Sequence, residues 1–207
     1  MDASKLMANV SLVPVVTIEK IEQAEPLAEA LLSAGLTVVE VTLRTPVALK
    51  ALKRIAGKSD LLVGAGSVRT AEQMQQVKEA GAEFAVSPGH SVDLIDAAKA
   101  ADMPFIPGGA TPSEMIFLLD HGYELQKFFP AEQLGGLNML KALSAPLPDI
   151  RFCPTGGIHA GLARDYLAFD KVACIGGSWF LDATMMQSGD WYGFEEKARL
   201  AVERLSG

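Results

Sequence analysis

Short runs of β-branched and apolar residues alternate along this chain with stretches whose apolar positions recur every three or four residues. The strand-like runs are Leu12–Ile18, Thr37–Leu43, Leu61–Ser67, Phe84–Ser87, Pro104–Pro107, Leu125–Phe129, Asp149–Pro154 and Val172–Ile175, and their starts lie 20 to 25 residues apart. Between them the period changes to that of a helix. Ala71–Ala80 puts Met74, Val77 and Ala80 on one face and stops at Gly81. Ala24–Ala34 ends at Gly35 in the same way, and Pro26 fits that helix only near its start or at a kink. A last helix is expected over roughly Gly193–Leu205, after the eighth run, and a short helical segment ahead of the first.

Runs such as Leu61–Val63 and Val38–Val41 are apolar on both faces, which suits parallel strands covered by helices better than a half-exposed antiparallel sheet. The pattern predicts an α/β protein. Eight βα units in 207 residues, with no linker and nothing left over for a second domain, point to one minimal (β/α)8 TIM barrel over residues 1–207. An open doubly wound sheet is the alternative.

Composition narrows the class of partner. Apolar residues make up 49% of the chain and charged residues 21%, an ordinary globular balance. The net charge of −7 argues against a general affinity for nucleic acid or anionic membrane, although a few Arg, Lys and backbone N–H groups suffice to hold an anionic metabolite. No apolar run is long enough to span a bilayer, and Met1 to Val10 lacks a basic segment followed by an apolar one, so a cytoplasmic protein is expected. Cys153 and Cys174 sit in apolar runs and read as buried structural thiols. His90, His121 and His159 are scattered, without a second ligand at metal spacing, so no metal is expected. Gly64-Ala65-Gly66 lacks the third glycine of a dinucleotide fingerprint, and no cofactor is implied.

In a barrel the active site forms at the C-terminal ends of the strands. Those ends carry Arg44, Ser67, Ser87-Pro88-Gly89, Gly108-Gly109-Ala110-Thr111, Lys127, Thr155-Gly156-Gly157 and Gly176-Gly177-Ser178. Packing alone does not explain polar groups at seven strand ends. In the second run, alternation puts Glu40, Thr42 and Arg44 on one face and Val39, Val41 and Leu43 on the other. The apolar set suits the helix layer, which leaves the polar set inside. A Glu40–Arg44 salt bridge is the bland explanation, but four residues of strand separate their backbones by about 13 Å. A buried carboxylate needs a partner, and Lys127 from another strand is a candidate.

Lys127 stands in Leu125-Gln126-Lys127-Phe128-Phe129-Pro130. Local sequence favours a strand-end lysine snorkelling to water. The competing reading is a partly desolvated amine held neutral for nucleophilic attack. Most of the other ten lysines lie in helices or loops, whereas Lys127 has a carboxylate and an arginine available to face it. The glycine pairs expected after the seventh and eighth strands, Gly156-Gly157 and Gly176-Gly177-Ser178, suit a phosphate or carboxylate site built from backbone N–H groups.

With these residues assembled, the chain closely resembles the 2-keto-3-deoxy-6-phosphogluconate (KDPG) aldolase and 4-hydroxy-2-oxoglutarate (KHG) aldolase family, from about Val10 to the C-terminal helix. The segments that carry the resemblance are Val39-Glu40-Val41-Thr42-Leu43-Arg44, Val63-Gly64-Ala65-Gly66-Ser67, Ala85-Val86-Ser87-Pro88-Gly89, Lys127-Phe128-Phe129-Pro130-Ala131-Glu132, Arg151-Phe152-Cys153-Pro154-Thr155-Gly156-Gly157 and Ile175-Gly176-Gly177-Ser178-Trp179. The resemblance implies a metal-independent class I aldolase, commonly a homotrimer, that cleaves small and usually phosphorylated 2-oxo acids. It makes Lys127 the Schiff-base lysine and Glu40 the acid/base. It gives the substrate carboxylate to Arg44 and substrate contacts to the Thr155 and Ser178 loops. Two positions depart from the family pattern. Ser67 replaces the usual threonine and keeps its hydroxyl, and Thr17 stands where some relatives have an arginine for phosphate. A phosphate-binding barrel isomerase or decarboxylase, or a non-catalytic sugar-acid-binding barrel, is the competing reading.

Overall fold

Residues 3–57 and 60–206, the part described by a computed structural model, form eight strands and ten α-helices in near-strict alternation. The strands are β1 (Leu12–Val16), β2 (Val38–Thr42), β3 (Leu62–Gly66), β4 (Phe84–Val86), β5 (Phe105–Ile106), β6 (Leu125–Phe128), β7 (Arg151–Pro154) and β8 (Ile175–Gly177). The helices are α1 (Ala3–Leu6), α2 (Ala24–Ser33), α3 (Ala48–Ile55), α4 (Ala71–Glu79), α5 (Val92–Ala100), α6 (Pro112–Asp120), α7 (Gly136–Ser144), α8 (Ala160–Leu167), α9 (Ala183–Ser188) and α10 (Trp191–Ser206). No helix among the described residues is long and apolar enough to cross a membrane.

Every strand pairing is parallel, as the doubly apolar runs predict. Six strands form a curled sheet in the order β5-β4-β3-β2-β1-β8, and β6 pairs with β7. Single parallel bridges link these two sheets at both junctions: Gly108 with Lys127, and Phe152 with Val172 and Thr155 with Gly176. The first junction carries two backbone hydrogen bonds, Lys127 N–H to the Pro107 carbonyl at 2.8 Å and Gly109 N–H to the Lys127 carbonyl at 3.0 Å.

Alternation along the strands sorts the apolar side chains into two cores. Val39, Val41, Val63 and Ala65 point outward into a cluster with Leu27, Leu31, Leu52, Ile55, Met74 and Val77 of the helices. Val13, Val38, Phe84, Val86, Ile106 and Leu125 form a second cluster on the inner face, joined by Cys153, Cys174 and, from the N-terminal segment, Ala3 and Met7. Gly64 makes that inner cluster possible. A β-carbon there would lie 2.2 Å from the Phe84 ring, so only glycine lets the ring cross β3.

The last part of the chain departs from its expected boundaries. The β-branched run Val172–Ile175 suggested strand eight, yet the strand is Ile175–Gly177. Val172 and Ala173 are taken up with β7, and it is Ile175, Gly176 and Gly177 that pair with Leu12, Val13 and Pro14. Gly176 and Gly177 are therefore strand residues rather than part of a loop after the strand. Glycine ranks low in strand propensity, but large neighbours require it here: a β-carbon would meet Thr155 Oγ1 at 2.3 Å and the Trp179 ring at 2.0 Å, respectively. The final helix starts at Trp191, two residues before the expected Gly193, and α9 precedes it, capped by the Asp182 side chain. Pro26 is the third residue of α2, near its start as expected.

Candidate active site

Strand β2 is buried along its whole length, with Glu40 only 3% exposed. Its neighbours Val39 and Val41 are committed to the outer core, so Glu40 faces the inner side. The room it occupies comes from β3. Gly66 is the register partner of Thr42, and a β-carbon on Gly66 would lie 2.1 Å from Glu40 Oε1. The carboxylate thus leans over Gly66, two residues further toward the C-terminal ends than Glu40's own register partner Gly64.

Lys127 reaches the same point from β6. It is 5% exposed, and its Nζ donates to Glu40 Oε1 at 3.2 Å and to Oε2 at 3.4 Å. A lysine snorkelling to water would be solvated, and this one is not. The ring of Phe129 lies 5.6 Å from Nζ, shielding the amine on one side. Each charge has lost most of its hydration, and each is tolerated only because the other replaces it. The Glu40–Arg44 salt bridge does not form. Arg44 is exposed, and its Nε donates to Ser67 Oγ at 3.2 Å. Ser67 itself has φ 59°, a left-handed conformation that a non-glycine residue adopts at a cost of about 1 kcal/mol and that aims its hydroxyl at Arg44.

Thr155 follows β7, is 6% exposed and sits against the bare face of Gly176. Gly156 and Gly157 after it have φ 101° and 77°, and a β-carbon on Gly157 would lie 2.6 Å from Glu132 Cβ. These glycines are therefore required by the backbone turn and by close packing on the segment after β6, apart from any role toward an anion. Ser178 is exposed just beyond β8. Not every polar strand end joins the cluster. Thr111 is the N-cap of α6, and Gly108 and Gly109 tie the backbone of Lys127. A β-carbon on Gly108 would lie 2.3 Å from the Pro88 carbonyl oxygen.

Cys153 and Cys174 are free and buried, as their apolar surroundings indicated. Cys153 is the register partner of Lys127. A hydrogen bond to Cys153, together with burial, pushes the Cys174 thiol well above the usual range. Among the described residues no three His, Cys, Asp or Glu side chains are grouped as metal ligands. His90 Nδ1 bonds the Gly108 carbonyl, His121 Nδ1 bonds the Phe117 carbonyl, and His159 caps α8.

Sequence reasoning passed over three contributors: Gly66 as the space for the carboxylate, Phe129 beside the amine, and a hydrogen bond between Thr17 and Thr42. Gly66 and Phe129 lie inside recognised segments, but only distances across strands reveal what they do. Concavity is no guide either. Cavities of about 280 and 220 Å³ lie where β5, β6, β1 and β2 begin, at the opposite ends of the strands, and larger ones of about 590 and 450 Å³ are lined by neither Glu40 nor Lys127.

Known proteins match over nearly the whole chain. The family model for KDPG and KHG aldolase matches residues 3–196. The KHG/KDPG aldolase of Escherichia coli K12 is 45% identical over 202 residues, 97% of this chain and 95% of that protein. A crystal structure of KDPG aldolase from Legionella pneumophila, with pyruvate captured as a covalent carbinolamine, superposes with a TM-score of 0.93 at 42% identity, covering 97% of this chain and 98% of that one. The Zymomonas mobilis KDPG aldolase with 3-phosphoglycerate superposes with a TM-score of 0.90 at 42% identity, covering 97% and 94%. The family model over most of the chain and relatives matched over nearly their full length show that the chain belongs to the KDPG and KHG aldolase family.

Proposed function

We propose that this protein is a class I aldolase that cleaves 2-keto-3-deoxy-6-phosphogluconate to pyruvate and glyceraldehyde 3-phosphate, and 4-hydroxy-2-oxoglutarate to pyruvate and glyoxylate. The observation that carries this reading is the Lys127–Glu40 pair, an amine and a carboxylate buried together 3.2 Å apart. Residues 1–207 are taken as a single domain in which the two sheets close into one (β/α)8 barrel; the bridges at both junctions support that closure. On the same reading the enzyme is cytoplasmic, homotrimeric and independent of metal and cofactor.

Lys127 is the nucleophile. Its ammonium passes a proton to Glu40, and the free amine adds to the C2 carbonyl of the substrate to give a carbinolamine. Protonated Glu40 returns a proton to the departing hydroxyl, and loss of water leaves an iminium ion. Glu40, again a carboxylate, takes the proton of the C4 hydroxyl. The C3–C4 bond breaks, its electrons flow into the iminium, and the aldehyde leaves. The enamine is protonated at C3, and water hydrolyses the imine to pyruvate and free Lys127. Arg44, hydrogen-bonded to Ser67 through Nε, is assigned the C1 carboxylate, for which its remaining guanidinium N–H groups offer a two-pronged contact. Thr155, Gly156, Gly157, Gly176, Gly177 and Ser178 are assigned to the distal, phosphate-bearing end.

Borohydride added with pyruvate reduces the imine and leaves an adduct on the peptide containing Lys127, read by mass. An unmodified Lys127, or full activity in Lys127→Ala, overturns the assignment. Glu40→Gln is expected to lose about 100-fold or more in kcat, since it retains shape but not basicity. Rates of pyruvate release from gluconate-derived, galactonate-derived and unphosphorylated substrates decide the preference among them.

A further inference from the structure

We propose that Thr17 is a specificity-determining residue that accepts a hydrogen bond from the substrate hydroxyl on C5, the carbon next to the one whose hydroxyl Glu40 deprotonates; this rests on the aldolase reading above. The argument begins with one proton. Thr42 Oγ1 donates to the Val16 carbonyl at 3.0 Å, and a carbonyl only accepts, so the single hydroxyl proton of Thr42 is used there. Thr17 Oγ1 lies 3.0 Å from Thr42 Oγ1. Both contacts are satisfied together only if Thr17 donates to Thr42. The relay therefore runs from the Thr17 hydroxyl to the Thr42 oxygen and on to the Val16 carbonyl.

That direction leaves Thr17 Oγ1 with lone pairs and no proton to offer. Thr42 is 1% exposed, whereas Thr17 is half-buried at the end of β1, so Thr17 is the open end of the relay. An acceptor-only oxygen repels a phosphate or carboxylate oxygen and welcomes an O–H donor.

Position selects the hydroxyl. The Glu40 carboxylate leans to the level of Gly66, and Gly66 is the register partner of Thr42. The threonine pair and the proton acceptor therefore stand at the same height, on adjacent strands. With the C4 hydroxyl at Glu40, the neighbouring hydroxyl is the donor within reach of Thr17.

The test runs the reaction toward condensation, with pyruvate and either glyceraldehyde 3-phosphate or 3-phosphopropanal, which lacks the hydroxyl that becomes the one on C5. The native enzyme is expected to prefer the hydroxylated aldehyde in kcat/KM. Thr17→Val and Thr17→Ala are expected to reduce that preference about tenfold, and Thr17→Ser to retain it. A purely structural role would lower both aldehydes equally. Equal loss, no loss, or an absence of preference in the native enzyme each overturns the proposal, and the alanine variant decides the matter if the valine variant does not fold. If pyruvate with borohydride fails to label Lys127 in the native protein, the aldolase reading itself has failed. If Lys127 is labelled and the preference survives in both variants, only the role of Thr17 has.

Discussion

A β-carbon on Gly66 would lie 2.1 Å from the Glu40 carboxylate, and this single contact ties a backbone choice to the proposed chemistry. Gly66 has no positive φ that would call for glycine. It is glycine because Glu40 leans over it to meet Lys127. Gly66→Ala is accordingly expected to push the carboxylate away from the amine by about 1 Å and to cost on the order of 100-fold in kcat/KM, with the fold retained. Circular dichroism and steady-state kinetics check the two halves, and an alanine variant of native activity would remove Glu40 from the mechanism. Lys127 was ambiguous in isolation for the converse reason. Snorkelling and desolvation differ only in what surrounds the amine, and its surroundings, Glu40 and Phe129, come from β2 and from the residue just beyond β6.

Among the elements, α6 shows how much of a helix is written locally. Thr111-Pro112-Ser113-Glu114 forms a reciprocal capping box: the Thr111 hydroxyl accepts from Glu114 N–H, and Glu114 accepts from the N–H groups of Ala110 and Thr111 at 3.0 and 2.9 Å. Those backbone donors, with Ala110 the strongest influence, hold the Glu114 carboxyl below its ordinary value of 4.5. A carboxyl depressed in the folded state favours folding fully above that ordinary value. Its contribution fades as pH falls through the lower folded value. Glu114→Gln is therefore expected to cost about 0.5 kcal/mol at pH 7, a capping contribution discounted for the exposure of the group. The difference between native and variant should shrink below about pH 4.5. Urea melts at pH 7 and pH 3 measure it, and an equal difference at both would rule out the charged cap. Strand β8 is the opposite case. Its glycines have little strand propensity, and the element exists because β1 pairs with it and because Thr155 and Trp179 occupy the space their side chains would take.

Across the whole molecule the two ends of the strands do different work. The C-terminal ends carry the polar cluster, while the inner face beneath it is filled by apolar side chains and sealed from the N-terminal segment by Ala3 and Met7. Met7, 2% exposed, belongs to that seal and has no part in the proposed chemistry. Met7→Ala is expected to lose about 2–5 kcal/mol, which for a chain of this size lowers Tm by roughly 5 to 15 °C. Labelling of Lys127 by pyruvate and borohydride should persist below the new transition. A thermal melt unchanged by the substitution would place Met7 outside the core.

The sequence by itself determined the alternation of strands and helices, the parallel sense of the strands, the inward face of Glu40 and the family. The first and third follow from side-chain periods of about two and 3.6 residues, and the second from runs that are apolar on both faces. The last follows from six ordered segments that survive as strings of residues. The tertiary structure alone decided that Glu40 answers to Lys127 and not to Arg44, that Gly176 and Gly177 lie in a strand, that Glu40 leans over Gly66, and that Thr17 hydrogen-bonds Thr42. Each of these depends on a distance between strands remote in sequence, where the identity of one residue is set by the volume or the proton of another. Local pattern reports which way a side chain points. What it meets there is settled only when the strands are assembled.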